Sequence, residues 1–207
     1  MPISHKYKAI IIHIPKNAGE SMEKKLGIYG KSENPLNTLW GIHGNYVLQH
    51  LTASQMKRLY LTEDVFNNYF KFAFVRNPWD KAVSEYHWYL RYGRPVTFQD
   101  WVRTLSARLG VSENLHILEI GHNIPQYKFI YDNQGSLLVD LVGRFERLQD
   151  DFNRVCETIG MEDSTLPMSD QTSSKGRRHY REYYNDETKR IIAKIYEKDI
   201  ELFGYEY

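Results

Sequence analysis

One cysteine among 207 residues, Cys156, leaves the chain unable to close an intramolecular disulfide. It falls inside an apolar helical pattern with Leu148, Phe152, Val155 and Ile159. That setting suits a small buried hydrophobe and not a reactive thiolate, which needs an electropositive, accessible environment. Long hydrophobic runs are missing too. Nothing approaches the ~20 apolar residues of a membrane-spanning helix, and the stretch Ala9 to Ile12 is too short for the core of a secretory leader. A soluble protein of a reducing cytoplasm is the expectation. Charge of one sign is equally scarce: 27 Lys and Arg against 26 Asp and Glu give a formal net charge of +1. Nucleic-acid binding through a bulk positive field is disfavoured, so any anion site must be built locally from a few cations and backbone amides. No Cys/His cluster has the spacing of a metal site, and no metal is expected. No repeat, low-complexity tract or long linker interrupts the chain, so residues 1–207 are expected to form a single domain.

What is present alternates between two periods. Tyr7–Ile14 (YKAIIIHI) and Tyr69–Val75 (YFKFAFV) are short runs rich in β-branched and aromatic residues, expected as buried strands; Leu137–Phe145 is a third candidate. Each of the first two leads into a helix. After the first comes Pro15-Lys16-Asn17-Ala18-Gly19 and a helix over about Glu20 to Leu26. After the second, Asn77 is placed to cap a helix with Pro78 at its first position and Asp80 at its third. Helical spacing also marks Leu148 to Ile159, ended by Gly160, and a C-terminal helix with Ile191, Ile192, Ile195 and Leu202 on one face, capped by Asn185 or Asp186 and ended by Gly204. Alternating strands and helices predict an α/β protein, a three-layer sandwich around a central parallel sheet. Ligands of such folds bind beyond the carboxyl ends of the strands, which is where Lys16 and Arg76 fall.

Residues 11–21 read IIHIPKNAGES. A strand, a Gly-containing loop and a helix start make an anion cradle, with Gly19 permitting close backbone approach, Lys16 a point charge and Ser21 a hydroxyl. An ATP-type phosphate loop would carry lysine directly after its last glycine; here Glu20 follows Gly19, which disfavours a kinase. In the second segment, FKFAFVRNPWDKAVSEYHWY, the Arg76 guanidinium fork and the Ser84 hydroxyl suit a phosphate monoester. Arg76 alternatively pairs with Asp80 or Glu85. Two anion loops following strands of one sheet are most economically explained by a nucleotide with two phosphate positions.

These segments resemble the sulfotransferases, in particular the branch of carbohydrate sulfotransferases and their bacterial relatives. PKNAGES resembles that family's 5′-phosphosulfate loop and FAFVRNPWDKAVSEY its 3′-phosphate motif; VGRFERLQDDFNRVC and YREYYNDETKRIIAKIYEKDIELFGY resemble its C-terminal half. The resemblance implies a P-loop NTPase-like sulfotransferase fold. It implies as donor 3′-phosphoadenosine-5′-phosphosulfate (PAPS), with 3′-phosphoadenosine-5′-phosphate (PAP) as product. It assigns Lys16 to the bridging oxygen, Asn17, Ala18, Gly19, Glu20 and Ser21 to the 5′-phosphate, and Arg76 and Ser84 to the 3′-phosphate. Glu20 departs from the family's pattern, where a small or hydroxylated residue is common. Its carboxylate must point away or pair with a cation such as Lys24, four residues along the helix.

Sulfate transfer to a hydroxyl or amine needs a proton acceptor, and histidine suits this near neutral pH. Of His13, His43, His50, His87, His116, His122 and His179, His50 leads. It precedes a helix that Thr52 can cap, and the family's base lies upstream of the arginine motif; His43 is second. The basic run 175–181, KGRRHYR, is a solvated loop or, by the resemblance, a flap over the nucleotide that would use Lys175, Arg177 and Tyr180. The acceptor expected from the branch is a carbohydrate or small metabolite. Trp40, Tyr86, Trp88, Tyr89, Tyr92 and Trp101 are candidates for its aromatic wall. A nucleotide-dependent kinase and a non-catalytic nucleotide- or glycan-binding module are the alternatives.

Overall fold

The computed structural model describes residues 2–30, 41–44, 46–91, 93, 95–109, 121–167 and 177–207. Trp40, Tyr92, His116 and Lys175 lie outside them. The chain folds as two compact units, Met1–Val75 with Lys128–Ser169, and Arg76–Tyr127 with Asp170–Tyr207.

The first unit is built on a four-stranded sheet. β1 (Ile3–Ser4) and β2 (Ala9–Ile12) pair antiparallel. β3 (Ile42–His43) and β4 (Tyr46–Val47) form a separate small ribbon. β5 (Phe70–Val75) lies parallel to β2, and β6 (Leu141–Arg144) parallel to β5, giving the order β1-β2-β5-β6. β2 is buried along its whole length, as expected of an interior parallel strand without polar alternation. Helix α1 (Gly19–Lys25) contributes Met22, and Leu26 follows at its end; both pack with Ile11, Phe72 and Phe74. The same core takes Phe152, Val155 and Cys156 from a later helix (Leu148–Ile159), which ends on left-handed Gly160 as its sequence predicts. Gly143 is required where it stands, because a Cβ there would come within 2.6 Å of the Phe74 ring on the neighbouring strand. β6 is shorter than the 137–145 run. Leu137 makes only an isolated bridge with Tyr131, and the Asp140 side chain accepts the Lys71 N–H at 2.7 Å, taking a place the ladder would otherwise use. Between ribbon and sheet, a 3-10 turn (Leu48–His50) precedes the short helix α2 (Ala53–Gln55). Thr52 caps it with a reciprocal bond to Gln55, and it runs on as a π-helical turn, Met56–Tyr60. Helix α3 (Glu63–Asn68) then delivers the chain to β5.

The second unit is helical. α4 (Pro78–Leu90) starts as its sequence predicts, with Asn77 Oδ1 accepting the Trp79 N–H at 3.1 Å and Pro78 in its first turn. Its Trp79, Ala82, Val83 and Tyr86 pack with Phe98, Trp101 and Val102 of α5 (Phe98–Leu109). After α6 (Tyr127–Ile130), which straddles the unit boundary, and α7, the helix of Leu148–Ile159, the chain returns as α8 (Asp186–Ile195) and α9 (Glu197–Phe203). Asn185 is the residue that caps α8. The single C-terminal helix expected from the sequence breaks at Tyr196, whose hydroxyl donates to the Asn123 carbonyl at 2.9 Å and whose ring fills the core. The break turns Leu202 outward, 43% exposed, and Phe203 inward. No helix among the described residues is long and apolar enough to cross a membrane. The fold is α/β, a mostly parallel sheet flanked by helices, as the sequence led us to expect.

Candidate functional site

In the first unit the chain leaves β2 into a strained loop. Lys16 (φ 69°) and Ala18 (φ 63°) both adopt the left-handed conformation, which costs a residue with a Cβ ~1 kcal/mol or more. Asn17 between them does not share the positive φ, and backbone of mixed hand is the kind that can form an anion-binding concavity. Two contacts hold the strain. Asn17 is buried and its Nδ2 donates to the Phe74 carbonyl at 2.6 Å, stapling the loop to β5. Gly19 lies flat against the His13 imidazole, where any Cβ would approach Cδ2 and Nε2 to 2.2 Å. Lys16 is half-buried and Ser21 buried. Glu20 bonds to Tyr29 where the sequence suggested Lys24. Its Oε1 accepts the Tyr29 hydroxyl at 2.8 Å, and the Lys24 ammonium sits 4.9 Å from the centre of the same ring. Desolvation, then the hydrogen bond to Glu20, pushes the Tyr29 hydroxyl up to about 12.

His50 lies in the same unit, half-buried in the turn before α2. Its Nδ1 is 3.1 Å from the His13 carbonyl, and its ring meets the His13 ring edge-on, 4.7 Å between centroids. A carbonyl only accepts, so Nδ1 carries the hydrogen and the neutral ring keeps its lone pair on Nε2. His43, the second candidate, is exposed on the ribbon beside the Tyr60 hydroxyl at 3.2 Å.

In the second unit Arg76 directly follows β5, the parallel neighbour of β2. Its backbone is clamped on both sides by one amide: Gln126 Oε1 accepts the Arg76 N–H at 2.9 Å and Gln126 Nε2 donates to its carbonyl at 2.8 Å. Gln126 and Tyr127 in turn donate their N–H groups to the Asp199 carboxylate at 2.7 and 2.8 Å, and burial raises the pKa of that carboxyl. The Arg76 guanidinium is paired with Asp80, the first of the two acids its sequence offered. Nε and Nη2 reach Asp80 Oδ2 at 2.8 and 2.7 Å. Asp80 Oδ1 accepts from Arg177 Nη2 at 2.6 Å, so the carboxylate that binds Arg76 also binds a guanidinium 97 positions further along the chain from Asp80. Ser84, one helical step beyond Asp80, is buried. Tyr180 is half-buried with its ring edge-on to Tyr207. Glu85, the other acid considered for Arg76, takes His122 Nδ1 at 3.1 Å. Tyr86 and Trp101 belong to the core, 9% and 4% exposed, and so leave the aromatic wall; Trp88 is half-buried against the His122 ring.

The sequence reading missed the supporting residues: Glu23, Gln126 and Asp199. Two carried a signal, since Glu23 and Asp199 are acids at helical positions that otherwise face the core, Asp199 lying four residues from both Ile195 and Phe203. Gln126 carried none.

A curated protein of Archaeoglobus fulgidus, named only as an uncharacterized protein, is 34% identical over 97 residues, which is 47% of this chain and 72% of that protein. No solved structure gives a significant match. The sulfotransferase family profile, in contrast, matches residues 1–206, running through both units and through the Lys16 and Arg76 segments. The chain belongs to the sulfotransferase family.

Proposed function

We propose that the protein transfers a sulfuryl group from PAPS to a hydroxyl or amine of a carbohydrate or small metabolite, releasing PAP, and that both units form one sulfotransferase domain. The observation that carries the reading is the loop at 16–18. It stores left-handed strain at two residues with Cβ atoms, beside a lysine and directly after a central strand. Strain of that kind persists only where the surroundings enforce it, and it concentrates at binding and catalytic loops. The donor's 5′ end is assigned to Lys16 and residues 17–21, and its 3′-phosphate to Arg76 and Ser84 with Arg177, Tyr180 and Lys175 from the late basic segment. A planar guanidinium suits the phosphate monoester.

In the reaction the acceptor's oxygen or nitrogen attacks sulfur in line. The new O–S or N–S bond forms as the bond from sulfur to the bridging oxygen breaks, and its electron pair leaves on the 5′-phosphate of PAP. Lys16 stabilises charge growing on that oxygen, and His50 Nε2 takes the acceptor's proton. The sulfuryl group carries less negative charge than a phosphoryl group, so placed amides and a lysine suffice for it without a metal. The test is a screen with radiolabelled PAPS against N-acetylglucosamine, glucosamine and 4-nitrophenol, with Lys16→Ala beside the wild type. Label transfer that disappears in Lys16→Ala is expected. Transfer that persists unchanged in that variant, or none to any acceptor class, refutes the assignment.

A further inference from the structure

Glu23 is fully buried on α1, although it plays no part in binding or proton transfer as described above. A helix that had only to cover the sheet would carry an apolar residue there, because burying a carboxylate costs several kcal/mol unless it is paired. Its Oε1 lies 2.7 Å from His13 Nδ1. A carboxylate only accepts, so this nitrogen carries the hydrogen, and the ring of His13 is held at one end by charge-assisted hydrogen bonding. The opposite edge of the ring, Cδ2 and Nε2, is pressed against Gly19. A third side meets His50, edge-on at 4.7 Å and 77°. The backbone of the same residue accepts His50 Nδ1–H at 3.1 Å. His13 therefore touches His50 twice, through carbonyl and ring, and Glu23 fixes His13. All three residues belong to one unit.

We propose that Glu23 and His13 are a positioning pair for His50, holding its imidazole in one plane and one tautomer with Nε2 as the proton-accepting nitrogen. The inference rests on the reading of His50 as the base. Supporting partners of this kind typically change turnover ~10–100-fold when altered. Glu23→Gln keeps the size and an acceptor oxygen but removes the charge. In transfer from radiolabelled PAPS to the three-acceptor panel, it is expected to lower kcat ~10–100-fold, with the donor KM and the Kd for PAP within about 2-fold of wild type. In a His50→Ala background the same change is expected to have no further effect, because residues acting through one group are not additive.

A Glu23→Gln loss of equal size in both backgrounds, or full activity in Glu23→Gln while His50→Ala is inactive, overturns the positioning pair and leaves His50 as the base. Wild-type turnover by His50→Ala removes the base assignment and the pair with it. Should Glu23→Gln fail to fold, nitrogen-15 spectra of the wild-type protein decide the matter, with the ring assigned by its disappearance in His50→Ala. The Nδ1–H tautomer of His50 is expected, and the Nε2–H tautomer overturns the inference.

Discussion

Replacing Arg76 by Gln tests the proposed seat of the 3′-phosphate separately from the rest of the proposed nucleotide site. In the wild type the guanidinium is almost fully buried and bound to Asp80 through Nε and Nη2. Removing one partner of a buried ion pair usually costs 3–5 kcal/mol, because a charge is stranded. Here it is not, since Asp80 retains Arg177 at 2.6 Å, and the Arg76 backbone keeps its Gln126 clamp. A loss of about 1–2 kcal/mol is therefore expected, or a fall of ~2–8 °C in Tm for a chain of this length. Binding should suffer more. Hydrogen bonds to a charged group contribute ~1.5–3 kcal/mol, so the Kd for PAP should rise about 10- to 150-fold. Adenosine 5′-phosphate, which lacks the 3′-phosphate, should bind wild type and variant within about 2-fold of each other. Isothermal titration of both ligands against both proteins gives the comparison directly. Equal losses for the two nucleotides, or an unchanged Kd for PAP in a folded variant, would refute the placement of the 3′-phosphate at Arg76.

Three further outcomes follow from the geometry. Gly19→Ala forces a Cβ to within 2.2 Å of a His13 ring already bounded by Glu23 and His50, so it should destabilise by ~1–3 kcal/mol; an unchanged Tm shows that the ring gives way freely. Cys156 is buried against Met161, and burial pushes its thiol up to about 11; it should resist an aromatic disulfide reagent at pH 8 in the folded protein and react fully in guanidinium, and prompt native reaction would contradict its burial. The Lys25 ammonium, followed by the Thr165 N–H, holds the Asp163 carboxyl below its ordinary value of 3.8. A depressed carboxyl stabilises above its unfolded pKa and loses that contribution as pH falls through the folded one. Asp163→Asn should accordingly melt below wild type at pH 5–7, the gap closing as the pH drops beneath 3.8; a gap that persists there points to another cause.

The elements that the sequence disclosed are those whose signals are local. The Ile10–Ile12 run, the Asn77–Pro78 helix start, the Thr52 cap and the Gly160 and Gly204 stops each depend on a few neighbouring residues, and each is in place. Tyr196 shows the limit. Its position fits a continuous helical face, but a hydroxyl seeking the Asn123 carbonyl 73 positions away bends the chain there. Aromatic residues on α4 are equally plausible as core or as wall, and only packing against Phe98 and Trp101 sends Tyr86 inward. Charged partners follow the same rule. Lys24 was the natural neighbour for Glu20, whereas Tyr29, beyond the helix end, supplies the hydrogen bond. The second cation on Asp80 comes from the far end of the chain. Spacing names the residues that can bind an anion; it does not name what they bind meanwhile.

Each proposed anion segment contains an acid, and the way each acid is occupied shows how a chain with a net charge of only +1 would build sites for the proposed donor. Glu20 accepts the hydroxyl of Tyr29, whose ring also faces the Lys24 ammonium, so its charge is engaged by Tyr29. Asp80 acts differently. Two guanidiniums about 4 Å apart repel by ~4 kcal/mol at the effective dielectric of a protein surface. Asp80 offsets that repulsion, with Arg76 on one oxygen of its carboxylate and Arg177 on the other. The three groups sum to one positive charge, compact and fixed before any ligand arrives. A preorganised cluster of this kind spares an incoming phosphate the cost of gathering two flexible arginines. The acid in the motif FVRNPWD is thus part of the cation site, and its negative charge is what makes the site's positive charge local.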